Sequence, residues 1–368
     1  MAANAQSGAG AGPMGVGIVG GGFMATVHSR AARAARGRLV GVVSSRAERA
    51  VRAAEELGIE HAFGSLDDLI ADRRVGVVHI TTPNAVHAQQ ALAVIAAGKH
   101  VVCEKPLATT VDDARSLTQA AASAGVAATV PFVYRYHPLV REARARFASG
   151  ETGRLLTIAG SYLQDWLLET GDDNWRVDRA AGGRSRAFAD IGSHLVDLIE
   201  FVTGDRVSRV AATKRTFFES RAEHTAITTE DAVAVAVQTT GGAIGTLLVS
   251  QAAPGRKNRL HVELAGSAES VVFDQEQPET LWVGRRKGSL LIPRDADQLA
   301  PDAARLVATP AGHPQGYQDA FNAFVADSYA AIAGEAPEGL PLFADGLRAA
   351  IVAEAVMDSA DTGAWVEV

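Results

Sequence analysis

The apolar run Val16-Gly17-Ile18-Val19 leads directly into Gly20-Gly21-Gly22-Phe23-Met24-Ala25, which matches G-x-G-x-x-A. No other stretch restricts the fold as much. Gly20 permits a sharp turn, Gly22 lets the backbone approach a pyrophosphate, and Ala25 lets the following helix pack close to the strand. The helix then turns its unpaired N-terminal amides, and the adjoining Phe23 and Met24, towards the phosphates. A bare glycine triplet also occurs in flexible loops that bind nothing. Its place between strand and helix, with a second strand ending about 20 residues later, favours a dinucleotide site.

The segments after the loop alternate. Short β-branched runs at Leu39 to Val43, Val75 to Ile80, His100 to Cys103 and Val126 to Val130 are separated by stretches of helical spacing. Those helices are expected at Ala47 to Leu57, Ala85 to Ala97 and Val111 to Ala124, with Asn84 and Thr110 as candidate caps. Strands apolar on both faces, joined by helices, predict a doubly wound parallel sheet over residues 13–131. Residues 1–12 are small or polar, without a basic start or an apolar core, and are expected to be a disordered tail rather than a secretory signal.

Beyond Pro138 the pattern changes. A helix to about Phe147, a strand from Leu155 to Gln164, an irregular loop from Glu169 to Arg186 and a helix from Ile191 to Phe201 are expected. Alternating runs at Ala232 to Val237, Ile244 to Ser250 and Leu260 to Leu264, broken by Gly241-Gly242, predict antiparallel hairpins. Two alanine-rich helices, Tyr317 to Ala333 and Ala344 to Ala360, suit either domain, and Trp365 to Val368 suits a closing strand. Residues 132–368 thus form a second, sheet-based domain.

With 35 basic against 42 acidic residues, a net charge of −7, the chain has no electrostatic case for nucleic acid or an anionic membrane surface. No apolar stretch approaches the roughly 20 residues of a membrane helix. The single Cys103 cannot form an internal disulfide, which fits a cytoplasmic setting, and suits a small buried apolar residue better than a nucleophile. The histidines show no metal-like grouping, so no catalytic metal is expected.

The second strand ends in Ser44-Ser45-Arg46, with Arg49 one turn on. No carboxylate is present to repel a 2′-phosphate, and two hydroxyls and a guanidinium favour NADP. Arg46 lying over the adenine face would suit NAD equally.

Further motifs follow in order: Thr81-Thr82-Pro83-Asn84 with His87, then Glu104-Lys105-Pro106, then Asp190-Ile191-Gly192-Ser193-His194-Leu195-Val196-Asp197. With the glycine loop this set resembles the Gfo/Idh/MocA oxidoreductase family over nearly the whole chain. The resemblance implies an α/β Rossmann domain and an α/β C-terminal domain with a large, mostly antiparallel open sheet. It also implies a nicotinamide cofactor, a sugar or polyol substrate, and a homodimer or homotetramer paired through the sheets. Carried over by position, Thr81, Thr82, Pro83, Asn84 and His87 line the cofactor and Glu104 faces the nicotinamide ribose. Lys105 and His194 do the chemistry, and Trp175-Arg176 edges the nicotinamide pocket. Tyr162 to Trp166, and His313-Pro314-Gln315-Gly316-Tyr317, resemble features of a sugar-oxidising subgroup. The stretch from Gly182-Gly183 to Asp190 departs from the family pattern: it is longer and contains Arg184-Ser185-Arg186.

Oxidising a secondary carbinol requires a base for the hydroxyl proton and a positive group beside the oxygen. Lys105 and His194 can share those tasks in either order. Asp190, four residues before His194, shares its helical face and can orient the imidazole or bind a substrate hydroxyl; it can equally cap the helix. Gln164, Asp165 and His313 offer polar contacts to a sugar, and Trp166 or Trp175 a stacking platform, although Trp166 also suits a core and Asp165 a solvent-facing position. The Lys105-Pro106 bond can be cis. These features point to NAD(P)-dependent hydride transfer at a ring hydroxyl or ketone of a sugar, sugar derivative or cyclic polyol. A dihydrodiol dehydrogenase and a non-catalytic dinucleotide-binding regulator are the alternatives; the joint presence of Lys105 and His194 argues against the second.

Overall fold

In the computed structural model, residues 13–368 are described, so the tail expected over 1–12 lies outside them. The first sheet has six parallel strands: β1 (Gly15–Val19), β2 (Arg38–Val43), β3 (His61–Ala62), β4 (Val77–Ile80), β5 (His100–Cys103) and β6 (Ala128–Thr129). Their spatial order is β3-β2-β1-β4-β5-β6. The order reverses between β1 and β4, and a crevice opens there at the carboxyl ends of the strands. Strand β3 escaped the sequence reading because it has two residues, both exposed. Helices Phe23–Ala34, Ala47–Leu57, His87–Ala96 and Val111–Ala124 connect the strands. Thr110 caps its helix by accepting from the Asp113 amide at 3.1 Å. Asn84 does not cap: a 3₁₀ turn, Asn84–Val86, precedes the helix, and the Asn84 amide instead donates to the Gly182 carbonyl at 3.0 Å.

The second sheet has nine strands: β7 (Leu155–Leu163), β8 (Val207–Arg215), β9 (Ala232–Thr239), β10 (Ile244–Ser250), β11 (Arg259–Gly266), β12 (Ser270–Asp274), β13 (Thr280–Arg285), β14 (Gly288–Pro293) and β15 (Val366–Glu367). It runs β14-β13-β12-β11-β7-β10-β9-β8-β15. All its pairings are antiparallel except β7 with β10. The closing strand expected at the end of the chain pairs with β8. Helices Pro138–Ala148 and Ser193–Thr203 cover one face, where Ile158, Leu195, Leu198, Leu247 and Leu260 are fully buried or nearly so. On the other face Ile244, Leu248, Trp282 and Leu291 stay exposed.

The late helices divide between the two sheets. Helix Tyr317–Ile332 packs on helix Phe23–Ala34, and its Phe321, Phe324 and Val325 join the core of the first domain with Val16 and Ile18. Helix Phe343–Thr362 bridges, touching helix Val111–Ala124 on one side and β8 on the other. A division at residue 132 therefore describes the order of the chain, not the packing: the first core borrows a helix from far downstream.

Candidate active site

The crevice of the first sheet continues into a cleft of about 1220 Å³ between the two sheets. Its first wall is the glycine loop. The Gly20 amide extends the ladder to the Val43 carbonyl at 2.8 Å, and φ of +118° at Gly20 is a conformation that favours glycine. A Cβ there would lie 2.4 Å from Thr81 Oγ1. At Gly22 a Cβ would meet no protein atom within 4 Å; it would project into the open cleft. Helix Phe23–Ala34 starts at Gly22 with no side-chain cap, so its first amides are free for an anion. These features fit the pyrophosphate of a dinucleotide. Ser44, Ser45, Arg49 and Arg52 line the cleft at the end of β2, and Thr81, Thr82, Pro83 and Asn84 line it after β4.

Two residues expected at the cofactor sit otherwise. Arg46 precedes helix Ala47–Leu57, exposed and outside the cleft lining, because the helix turns the Arg49 and Arg52 side of its surface inwards. His87 is fully buried behind the wall, with its ring nitrogens 2.8 Å from the Thr82 carbonyl and 2.9 Å from that of Pro106; it clamps two cleft loops to each other. Trp175 and Arg176 do line the cleft, with the guanidinium 4.4 Å over the indole.

Lys105 follows β5, and its peptide to Pro106 is cis. Its ammonium donates to Asp190 Oδ1 at 2.6 Å and to the Asp190 carbonyl at 3.0 Å. Asp190 Oδ2 accepts from Gln251 at 2.8 Å, and Arg176 Nε lies 3.6 Å from Oδ1. Burial pushes the Asp190 carboxyl up, but the cations Lys105 and Arg176 outweigh it and hold it below the usual carboxylate range. Asp190 therefore neither caps a helix nor bonds the His194 ring; it moors Lys105 across the cleft. The four-residue spacing misled because Phe188–Gly192 is a π-helical stretch before helix Ser193–Thr203. Gly192 admits this turn: a Cβ there would lie 2.6 Å from the Phe188 ring.

The longer approach to Asp190 is held from beneath. Glu230 accepts from the amides of Arg186 and Phe188, both at 3.0 Å, and from the Ser185 hydroxyl at 2.7 Å. Buried Arg186 and Arg221 both pair with buried Asp231. Arg184 turns outward to Asp358 and Asp361. The Arg184-Ser185-Arg186 insertion thus carries its own counter-ions, as buried charges require.

His194 lines the cleft inside an aromatic cage, edge-on to Phe132 (5.6 Å) and Tyr134 (5.0 Å). Burial, reinforced by the Lys105 charge, holds its imidazole well below the ordinary histidine value, so it is neutral at pH 7. Its Nδ1 has no hydrogen-bond partner among the described residues.

The far wall comes from the second sheet. Tyr134 and Tyr162 are hydroxyl to hydroxyl; Tyr162 donates to Asn258 Oδ1 at 2.8 Å, and Asn258 Nδ2 donates back to Tyr134 at 3.1 Å. Gln164 donates to Asn258 Oδ1 at 2.8 Å and accepts from the Trp166 indole at 2.7 Å. Of the expected sugar contacts, Gln164, Trp166 and Trp175 line the cleft. Asp165 does not: alternation along the chain turns it away, to Lys257 at 2.7 Å and the Gly255 amide at 3.1 Å. His313 is exposed in a turn that Arg294 pins through the His313 carbonyl, and Tyr317, four residues on, enters the cleft instead. Asp197 pairs with Arg135 outside the cleft. Tyr134, Lys257 and Asn258 were not singled out from the sequence, where no motif marks them.

A Rossmann sheet with a glycine loop, facing a second sheet across a cleft that holds a moored lysine and a neutral histidine, defines a dinucleotide-dependent oxidoreductase. Residues 14–132 match the GFO/IDH/MocA model described as an oxidoreductase family with an NAD-binding Rossmann fold, and residues 140–272 match the GFO/IDH/MocA C-terminal domain. The chain belongs to this family. It is 30% identical to levoglucosan dehydrogenase of Pseudarthrobacter phenanthrenivorans, over 96% of this chain and 97% of that one. The structure of that enzyme type in complex with NADH and levoglucosan superposes with a TM-score of 0.91 at 29% identity, covering 97% of this chain and 99% of the other. An oxidoreductase domain protein from Kribbella flavida superposes with a TM-score of 0.90 at 34% identity, over 97% and 99% of the two chains.

Proposed function

We propose that the protein is an NAD(P)-dependent dehydrogenase of a sugar, sugar derivative or cyclic polyol, acting at a ring hydroxyl or ketone. One observation carries this reading: the Lys105 ammonium, 2.6 Å from Asp190, and the neutral His194 line the same cleft as the glycine loop. A nicotinamide bound there supplies hydride acceptance or donation. Two of the three Lys105 N–H donors are taken by Asp190, which leaves one for the substrate oxygen. His194 takes the carbinol proton in oxidation and returns it in reduction, while Lys105 stabilises the charge developing on that oxygen. The amides of Gln164 and Asn258 orient the remaining hydroxyls, with an indole, Trp166 or Trp175, against the apolar ring face.

The finer assignments rest on separate features. NADP is the preferred dinucleotide, since Ser44 and Ser45 follow β2, with Arg49 3.4 Å from the Ser45 hydroxyl and no carboxylate in the Ser44-Ser45-Arg46 run. A homo-oligomer forms through the open face of the second sheet, where Ile244, Leu248, Trp282 and Leu291 are exposed. The setting is the cytoplasm, in keeping with a single, buried thiol. No helix among the described residues is long and apolar enough to cross a membrane.

Absorbance at the reduced-nicotinamide band, with NAD and NADP each offered a panel of sugars, anhydrosugars and inositols, tests the reading. Turnover with at least one of these is expected, with kcat/KM higher for NADP. Binding of dinucleotide without turnover of any of them would return the regulator reading. Sedimentation showing a monomer would remove the oligomer.

A further inference from the structure

Glu104, at the edge of the cleft, ends a line of buried polar groups that the chemistry above does not use. Its Oε1 lies 3.0 Å from His28 Nε2; His28 Nδ1 lies 2.9 Å from His79 Nδ1; His79 Nε2 lies 2.9 Å from the Tyr329 hydroxyl. Both histidines are fully buried, and Glu104 and Tyr329 nearly so. The four groups come from helix Phe23–Ala34, β4, the end of β5 and helix Tyr317–Ile332, so the line joins the borrowed helix to the cleft.

The proton count leaves few choices. Two Nδ1 atoms at 2.9 Å must be one donor and one acceptor, and a neutral imidazole carries a single N–H. With all four groups bonded and both rings neutral, only two arrangements close. In the first, Tyr329 donates to His79 Nε2, His79 Nδ1 donates to His28 Nδ1, and His28 Nε2 donates to a Glu104 carboxylate. In the second every bond is reversed, and Glu104 is a neutral acid. The surroundings favour the first: the Lys105 amide donates to Glu104 Oε2 at 3.1 Å, a bond that is stronger to a carboxylate than to a neutral acid. Burial pushes the Glu104 carboxyl up, but the His28 bond and the nearby Lys105 and His87 outweigh it and leave it below its ordinary value.

We propose that His28, His79 and Tyr329 are positioning residues: a one-directional hydrogen-bond line that keeps Glu104 ionised and aimed, so that its remaining lone pairs accept from a ligand hydroxyl in the cleft. The hydroxyl rests on the dinucleotide reading; the direction of the line does not. Its consequence is that the sugar-side chemistry is untouched while dinucleotide affinity depends on a tyrosine on the far side of the first core.

Long-range 1H–15N spectra of the 15N-labelled, ligand-free protein at pH 7 test the direction, with the two rings assigned by the signals lost in His28→Gln and His79→Gln. The expected result is the Nε2–H tautomer for His28 and the Nδ1–H tautomer for His79. The opposite tautomer at either ring overturns the proposal. Titration with NADP and with NAD then reads the function. His28→Leu is expected to weaken binding about tenfold, and His28→Gln, which can both donate and accept, to restore it to within about twofold. Tyr329→Phe, which removes the donor that fixes the His79 tautomer, is expected to weaken it by a smaller factor, about threefold. Equal affinity in folded His28→Leu and the unaltered protein overturns the positioning role. Failure of the unaltered protein to bind either dinucleotide would instead count against the cofactor reading, while the tautomers still decide the line.

Discussion

On one side of the cleft the contacts are backbone and short side chains, Gly20, Gly22, Thr81 and Pro83, each placed within a few residues of a strand end. On the other side they are the tips of long side chains, Tyr134, Tyr162, Gln164 and Asn258, held by one another. The first wall is made by local geometry and needs little beyond a strand, a turn and a helix N-terminus. The second exists only once β7 and β11 have paired, which aligns Tyr162 with Leu260 and brings Asn258 within reach. A dinucleotide, whose phosphates and riboses vary little, suits the first kind of wall. A substrate that differs from enzyme to enzyme suits the second, because a side chain is changed without disturbing a strand.

Lys105 belongs to both walls: it is carried by the first and moored on the second through Asp190. Lys105→Ala should lower kcat/KM by about 10³-fold and leave dinucleotide affinity within twofold, read by steady-state assay and direct titration. An equal loss in both would erase the distinction between the walls.

The second wall should also be sensitive to acid. His137 stacks on Tyr134 at 5.8 Å, and burial lowers its pKa from 6.5 to about 4, with Asp319 and Glu279 opposing. The unfolded chain binds this proton more readily than the folded one below pH 6.5. Stability is therefore fully present above that pH and lost as pH falls towards 4, by roughly 3 kcal/mol from this group. Buried His194 acts in the same direction on this side of the cleft, and buried His79 does so within the first sheet. Urea unfolding against pH should show this slope, and His137→Phe should flatten it; an unchanged slope would place the acid sensitivity elsewhere.

Gly20→Ala attacks the first wall alone. With φ of +118° and Thr81 Oγ1 2.4 Å from the new Cβ, the loop must shift. About 1–3 kcal/mol of strain should weaken dinucleotide binding some ten- to hundredfold while the KM for the substrate hardly moves. The complementary change, Asn258→Ala, strips one acceptor from Tyr162 and Gln164 and one donor from Tyr134. It should raise the substrate KM about tenfold with dinucleotide affinity preserved, and a matching loss of dinucleotide affinity would show that the walls are not independent.

Much of this could be anticipated from residue order. The alternation of strands and helices, the glycine loop, Glu104-Lys105-Pro106 and the approach to His194 each lie in one short segment, and short segments are what pattern and motif describe. The errors share a cause as well. Arg46, His87, Asp165 and His313 are right in segment and wrong in direction, since one residue of strand or a third of a helical turn decides whether a side chain faces the cleft. Asp190 failed for a related reason: an α-helical spacing was assumed where the chain makes a π turn.

By itself the sequence determined that a dinucleotide-type loop follows the first strand and that a parallel sheet comes before a largely antiparallel one. Both follow from contacts between near neighbours in the chain, whose geometry is set by backbone dihedrals and side-chain periodicity. Only the tertiary structure decided that Asp190 moors Lys105, that helix Tyr317–Ile332 completes the first core, and that Asn258 closes a ring with two tyrosines. Those contacts join residues some 85 to 300 positions apart. Their partners are selected by the packing of whole elements and the need to satisfy each buried polar group, and neither condition is written in any single stretch of sequence.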